Sequence, residues 1–245
     1  MPGTAAAFDA APQLIDAAAT RVNRLLGLLP QDDQRRLAPY LRTVSLRSKQ
    51  VLLRQGQPVH EIIFPTGGVC SLIKTTEDGH SIEVLGIGAD GAIGASVAWG
   101  QADSAADVVV QVPNDAAVVL PLEVFKAELQ QRDALFAVIT DYCQTFTTQL
   151  MQITACNALH SAEERCCRWL LTTDDRIQAG TFPITQEMLA MALGVRRPTV
   201  THIMAELHRS GIVEYARGAM RVVDRTSLES RACECYRTLS PNSHR

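Results

Sequence analysis

Ile184-Thr185-Gln186-Glu187-Met188-Leu189-Ala190-Met191-Ala192-Leu193-Gly194-Val195-Arg196-Arg197-Pro198-Thr199-Val200-Thr201-His202-Ile203-Met204-Ala205-Glu206-Leu207 is the stretch that decides how this chain is read. Thr185 has the side chain and position of an N-cap, and Ile184 and Leu189 flank it as a hydrophobic staple. Leu189, Ala190, Leu193, Gly194, Val195, Val200 and Ile203 occupy the places that two helices joined by a tight turn need apolar, small or glycine. Ala190 lets the second helix approach, and Gly194 allows the left-handed backbone that ends the first. Proline at 198 falls in the first turn of the second helix, where a missing N–H is harmless. With Val200, Ile203 and Leu207 turned inward, the second helix leaves Arg197, Thr201 and His208 outward, with Arg196, Thr199 and His202 along the flank. Such a set suits base edges and phosphates in a major groove.

Working outward, Ile212 to Val223 reads as a hairpin turning at Arg217-Gly218, a wing whose Arg217 and Arg221 are placed for phosphates. Upstream, Ser161-Ala162-Glu163-Glu164 is a capping box, so a helix starts at Ala162 and Asn157 to Ser161 forms a hinge. Before the hinge, Phe136, Ile139, Cys143, Phe146, Leu150, Ile153, Asn157 and His160 recur at alternating spacings of three and four. That pattern predicts a long helix whose seam, Phe136, Ile139, Cys143, Phe146, Leu150 and Ile153, forms a homodimer interface. From Ser45 to Leu122 the texture is short apolar runs punctuated by turns such as Gln55-Gly56-Gln57-Pro58 and Pro65-Thr66-Gly67-Gly68, as in a β-sandwich or barrel. Short helices interrupted at Pro30 and ended near Pro39 precede it.

The expected class is α+β. The expected organisation is a flexible tail (1–20), a β-roll domain with N-terminal helices (21–122), a dimerisation helix (123–160), a winged helix-turn-helix (161–235) and a second tail (236–245). Bulk properties agree: of 245 residues, 47% are hydrophobic and 20% charged, the texture of a globular protein. No apolar run approaches a membrane span, and the first residues lack a basic stretch followed by an apolar one, so a cytoplasmic protein is expected. The net charge of −3 hides an asymmetry: residues 1–160 carry 11 basic and 16 acidic side chains, whereas 161–245 carry 12 and 10. All the basic residues of the second segment are arginines, the side chain suited to bidentate phosphate and guanine contacts.

In this order of parts the chain resembles the Crp/Fnr family of bacterial transcription regulators from about Arg21 to Tyr236. The Gly194 to Val200 stretch is similar to the start of that family's recognition helix, with Arg197 on its base-reading arginine. The resemblance implies a β-roll of cyclic-nucleotide-binding type and a homodimer on double-stranded DNA, with RNA polymerase a further partner of any activator. Pro198 stands where a glutamate is usual and His202 where the cyclic-AMP receptor branch has arginine, so a different operator half-site is implied. The family's cyclic-nucleotide pocket needs a glutamate and an arginine in the stretch from Gly91 to Val108; Ala95 stands in the glutamate's place. No lysine or arginine occurs between Lys74 and Lys126, an interval with eight acidic residues. Leu150 and Met151 replace the small hydroxylic residues that would face a purine, so cyclic AMP is not the expected effector.

Seven cysteines, the first at Cys70, match neither a disulfide framework nor the N-terminal cluster of the oxygen-sensing branch. His80, after Asp78-Gly79, reads as a solvated loop residue and not an axial haem ligand. Cys166-Cys167 and Cys233-Glu234-Cys235 lack the paired spacing and partner histidines of a zinc site, so no metal and no cofactor are expected. Arg231 and Arg237 could lower the thiol pKa of the C-terminal pair. An alternative on the same scaffold is a thiol- or redox-responsive regulator switching through Cys143. No phosphate-cradling Gly-Lys-Ser/Thr loop, activated nucleophile motif or metal triad points to an enzyme.

Overall fold

The computed structural model describes residues 13–14, 23–100, 102–113, 116–177, 180–216 and 218–241. Most of the expected N-terminal tail, and Arg217 in the wing, therefore lie outside the described residues. The chain divides into two compact units, residues 1–72 with 87–147 and residues 73–86 with 148–245. The division falls inside the long helix, not at the expected hinge, and assigns the greater part of one hairpin, Ile73–Gly86, to the second unit.

In the first unit, β1 (Gln13–Leu14) precedes two short helices, α1 (Arg24–Gly27) and α2 (Gln31–Leu37), separated at Pro30, and a 3-10 turn over Ala38–Tyr40. Strands β2 (Arg42–Val44), β3 (Val51–Leu53), β4 (Glu61–Pro65), β5 (Val69–Thr75), β6 (Ser81–Ile87), β7 (Asp107–Val112) and β8 (Ala117–Pro121) follow. They form two four-stranded sheets, ordered β1-β2-β8-β4 and β3-β7-β5-β6. This is the expected β sandwich.

The near-continuous apolar runs of β4 and β8 follow from covering both faces of one sheet. Ile62 pairs with Leu120, Ile63 with Val119 and Phe64 with Val118 in antiparallel register. Because side chains alternate along a strand, Ile62, Phe64, Val118 and Leu120 join a cluster with the helical leucines Leu25, Leu26, Leu29 and Leu37. Ile63, Ala117 and Val119 instead join the cluster holding Val108, Val110 and Leu52 between the sheets. Each such side chain contributes about 1.5–3 kcal/mol on burial. Asn23, fully buried, fixes α1 to this sheet: its Oδ1 accepts from the Leu25 and Leu26 amides at 3.0 and 3.3 Å, and its Nδ2 donates to the Pro65 and Gly91 carbonyls at 2.9 and 3.0 Å.

After α3 (Leu122–Gln131) comes the long helix α4 (Ala134–Leu159). Ile139 and Cys143 belong to the core of the first unit and Ile153 is also buried, while Phe136 stays 38% exposed and Phe146 and Leu150 are half-buried. Of the expected seam, Ile139 and Cys143 thus pack on the core of the first unit, while Phe136, Phe146 and Leu150 keep part of their surface exposed. A second stripe of the same period, Ala137, Asp141, Gln144, Thr148, Met151, Ala155 and Ala158, is exposed throughout. Met151 is 64% exposed and Leu159 79%. Burial pushes the Cys143 thiol up to about 11, which favours its protonated form.

The second unit holds α5 (Ala162–Ile177), β9 (Phe182–Pro183), α6 (Gln186–Leu193), α7 (Arg197–Arg209), the hairpin β10 (Val213–Ala216) and β11 (Ala219–Val222), α8 (Arg225–Arg231) and α9 (Cys235–Leu239). The capping box forms as expected: the Ser161 amide donates to Glu164 at 2.8 Å and the Glu164 amide to Ser161 Oγ at 3.3 Å. Arg225 draws α8 onto α5 through Asp174 at 2.9 Å and Asp175 at 2.6 Å. The segment expected as a C-terminal tail is instead packed as far as Ser240: Leu239 is buried, and Tyr236 and Ser240 donate to Asp175. Hairpin residues Ile73–Gly86 contribute a buried hydrogen bond to this unit, in which Trp169 Nε1 donates to Glu83 Oε1 at 2.8 Å. Among the described residues no helix is long and apolar enough to cross a membrane.

Candidate nucleic-acid interface

The geometry between α6 and α7 follows from the cap and the turn. Met188's amide donates to Thr185 Oγ1 at 3.1 Å, which closes the start of α6. At the other end Gly194 has φ +62°, the left-handed conformation that costs an L side chain about 1 kcal/mol or more. Its neighbour Val195 returns a 3.0 Å hydrogen bond to the Ala190 carbonyl. A Cβ on Gly194 would stand 2.8 Å from the end of the Ile82 side chain, so the position is close-packed as well as left-handed. Arg165 donates to the Leu193 carbonyl at 2.9 Å and to Asn157 Oδ1 at 3.2 Å, linking the end of α6 to the hinge.

Helix α7 has Arg196 as its N-cap residue and proline within its first two positions. Val200, Ile203, Met204 and Leu207 are buried, so one face is held by packing. Arg196, Arg197, Thr199, Thr201, His202 and His208 are all exposed, as the spacing predicts. Thr201 is tied down: its hydroxyl donates to Gln186 Oε1 at 2.7 Å and to the Arg197 carbonyl at 3.1 Å. Arg196 and Arg197 carry no ion pair among the described residues and project from the N-terminal end of the helix.

Most other arginines of this unit have internal partners. Arg209 pairs with Glu206 at 2.6 Å, Arg231 with Glu163 at 3.3 Å and Arg225 with three carboxylates. In the wing, β10 and β11 pair from Val213↔Val222 to Ala216↔Ala219, which sets the turn at the expected place. Arg221, expected to reach phosphate, sits across the hairpin from Glu214 and pairs with it at 2.8 Å, with both side chains at least half exposed. The positive excess is therefore concentrated at the start of α7.

In the first unit a cavity of about 100 Å³ lies among Leu72, Ile87, Ala95, Trp99, Val108 and Phe146. None of its lining residues is charged. Tyr142 closes one side: its hydroxyl donates to the Ala92 carbonyl at 3.1 Å, and a Cβ on Gly91 would meet that hydroxyl at 2.9 Å.

In the second unit, sequence reasoning missed a cluster. Cys156, His160, Cys233 and Cys235 present their ligand atoms within 4.8 Å of one another. The C-terminal cysteine pair does have a partner histidine, supplied by the residue that follows α4.

Residues 164–231 match the Crp-like helix-turn-helix domain family. Solved structures similar to the chain include a putative Crp/Fnr-family transcriptional regulator from Eubacterium rectale, 16% identical, with TM-score 0.66, covering 86% of this chain and 98% of that one. A CRP-family transcriptional regulator from Thermus thermophilus is 17% identical, with TM-score 0.63, over 77% of this chain and 95% of that one. A c-di-GMP-responsive global regulator from Xanthomonas campestris is 13% identical, with TM-score 0.60, over 84% and 98%. No curated protein matches the chain by sequence.

Proposed function

We propose that the chain reads a two-fold-symmetric DNA operator as a homodimer: residues 164–231 match the Crp-like helix-turn-helix domain family, and the fold is similar to that of a solved Crp/Fnr-family regulator. The observation that carries this reading is the start of α7. There two exposed arginines without ion pairs stand beside Thr199 and His202 on a helix whose opposite face is fully packed. Helices held in this way enter the major groove by their N-terminal residues, with half-sites about one helical turn apart. Arg197 is assigned to a guanine edge, Arg196 and Thr199 to the backbone and His202 to a neighbouring base.

The two copies meet, in this reading, along the exposed stripe of α4 centred on Thr148, Met151 and Ala155. Its small residues allow close approach of helices, and Met151 gains a partner for its apolar surface. The effector is a molecule other than cyclic AMP: the uncharged cavity in the first unit offers a cyclic phosphate no counter-charge. The setting is cytoplasmic, with RNA polymerase a further partner if the regulator activates.

The test is a fluorescence-anisotropy titration on operator fragments selected from genomic DNA, comparing wild type with Arg197→Ala. A drop of roughly 5- to 150-fold in specific affinity, with relaxed preference at one base pair, is expected from losing a bidentate contact worth about 1–3 kcal/mol. Full affinity and unchanged preference would refute the assignment.

A further inference from the structure

We propose that Cys156, His160, Cys233 and Cys235 form a closed binding site for one thiophilic divalent cation, zinc in preference to harder ions. Cys156, in the last turn of α4, and His160, just beyond its end, are four residues apart, and the His160 amide still donates to the Cys156 carbonyl at 3.1 Å, which puts both on one face. Cys233 and Cys235 come from the segment leading into α9, where an i, i+2 spacing in a bend brings both sulfurs to that face. Cys156 Sγ lies 3.5 Å from Cys233 Sγ, and Cys235 Sγ lies 3.6 Å from His160 Nδ1. With metal–sulfur bonds of about 2.3 Å and metal–nitrogen bonds of about 2.0–2.1 Å, tetrahedral edges come to about 3.6–3.8 Å. All four atoms already lie within 4.8 Å of one another, so small rotamer adjustments complete the polyhedron.

Three surrounding groups point to the same occupant. His160 turns Nδ1 toward the sulfurs while its Nε2 lies 3.2 Å from Glu234 Oε2, the carboxylate–histidine relay that fixes the tautomer of a metal ligand. Gln152 Nε2 donates to Cys235 Sγ at 3.0 Å, a hydrogen bond suited to a thiolate. Arg168 is only 7% exposed and its Nε has no hydrogen-bond partner among the described residues, an expensive condition for a buried cation. Its positive charge acts on both Cys156 and Cys233. Three thiolates and a neutral imidazole around a divalent cation carry a net charge of −1, opposite in sign to the neighbouring Arg168 guanidinium.

Binding is a proton exchange: each cysteine still protonated gives up its thiol proton as its metal–sulfur bond forms, and His160 ligates as the neutral ring. With four protein ligands and the three sulfurs almost wholly buried, no open coordination position remains for water or substrate. The ion is structural: it clamps the C-terminal segment onto the end of α4, beside the Asn157–Ser161 hinge.

The full-length protein, reduced and stripped of metal, is titrated with Co²⁺ and then with Zn²⁺. One ion per chain is expected, with tetrahedral d–d bands and thiolate-to-cobalt charge transfer that one equivalent of Zn²⁺ abolishes. Glu234→Gln should weaken binding roughly tenfold, His160→Ala and Cys235→Ser should weaken it further, and Cys143→Ser should leave it unchanged. Should those ligand variants fail to fold, alkylation of wild type read by mass spectrometry decides: zinc must protect Cys156, Cys233 and Cys235 reversibly with chelator and leave labelling of the other four cysteines unaltered. An octahedral cobalt spectrum, identical labelling with and without zinc, undiminished binding by Cys235→Ser, or a Cys156–Cys233 disulfide whose reduction restores no metal uptake would each overturn the proposal.

Discussion

Substituting Asn23 separates two roles that one side chain fills. At an ordinary exposed N-cap, asparagine and aspartate are interchangeable, and alanine costs about 0.5–2 kcal/mol. Here the amide is fully buried and each end is used, Oδ1 by two amides of α1 and Nδ2 by the Pro65 and Gly91 carbonyls. Asn23→Ala removes four hydrogen bonds at a net of about 1 kcal/mol each and leaves some of their partners dry, so a loss of about 3–4 kcal/mol is expected. Asn23→Asp keeps the cap acceptor but sets a carboxylate oxygen against two carbonyl oxygens in a buried place, so at pH 7 it should be at least as damaging as alanine. Its damage should lessen on acidification. Burial and the facing carbonyls raise the folded-state pKa of the introduced carboxyl above its unfolded value, so the ionisation penalty grows as pH rises through the unfolded pKa and is absent below it. Urea unfolding, with hydrogen exchange in β4 and β8 peptides as the readout local to the first unit, measures both variants. If Asn23→Asp retained wild-type stability at pH 7, the pairing of Nδ2 with two carbonyls would be wrong.

Other substitutions probe the remaining parts. Met151→Glu places like charges across the proposed two-fold contact and should shift the protein from dimer to monomer in sedimentation velocity, whereas Cys143→Ser should leave the mass unchanged; a dimer surviving Met151→Glu would remove α4's exposed stripe from consideration. Glu214→Gln releases Arg221 from its ion pair and should strengthen DNA binding with a salt slope steeper by roughly one unit, read from affinity against ionic strength. Gly194→Ala, left-handed and 2.8 Å from Ile82 Cδ1, should lower stability by about 1–2 kcal/mol in thermal unfolding and weaken operator binding. Cys70, whose thiol burial pushes up to about 12, should resist alkylation in the native protein at pH 8 and react only on unfolding.

How much of this was legible in the sequence depended on the range of the interaction that decides each element. The α6–turn–α7 unit is specified by neighbours within a few residues: the Thr185 cap, the left-handed Gly194 and the inward Val200, Ile203 and Leu207, so each forms as its spacing predicts. The capping box at Ser161 is local in the same way. Helix α4 shows the limit of periodicity. Two stripes of one helix share a heptad period, and hydrophobicity picked the one with Ile139 and Cys143; that stripe is apolar because it covers the chain's own core. The stripe left facing outward reads as small and polar, which local pattern alone does not distinguish from a solvated face. The Arg221–Glu214 pair was not legible in sequence, since Glu214 becomes the neighbour of Arg221 only through the hairpin register.

Cys233 and Cys235 are the furthest case. A zinc motif is recognisable in sequence when its ligand pairs are close together, as in paired Cys-x₂-Cys runs. In this chain the complementary pair, Cys156 and His160, sits more than seventy residues upstream on another helix. Neither pair carries a metal signature alone: an i, i+4 cysteine and histidine on a helix resemble core and surface residues, and a Cys-x-Cys resembles packing. They meet because Arg225 and Tyr236 draw the C-terminal segment back onto α5 through Asp174 and Asp175. The polar network that packs α8 against α5 is therefore what assembles the cation site. Asp175→Ala, which touches no proposed ligand, should on that account weaken zinc binding as well as lower the melting temperature of the second unit. Zinc affinity unchanged in a destabilised Asp175→Ala protein would show that the four ligands find one another without that packing.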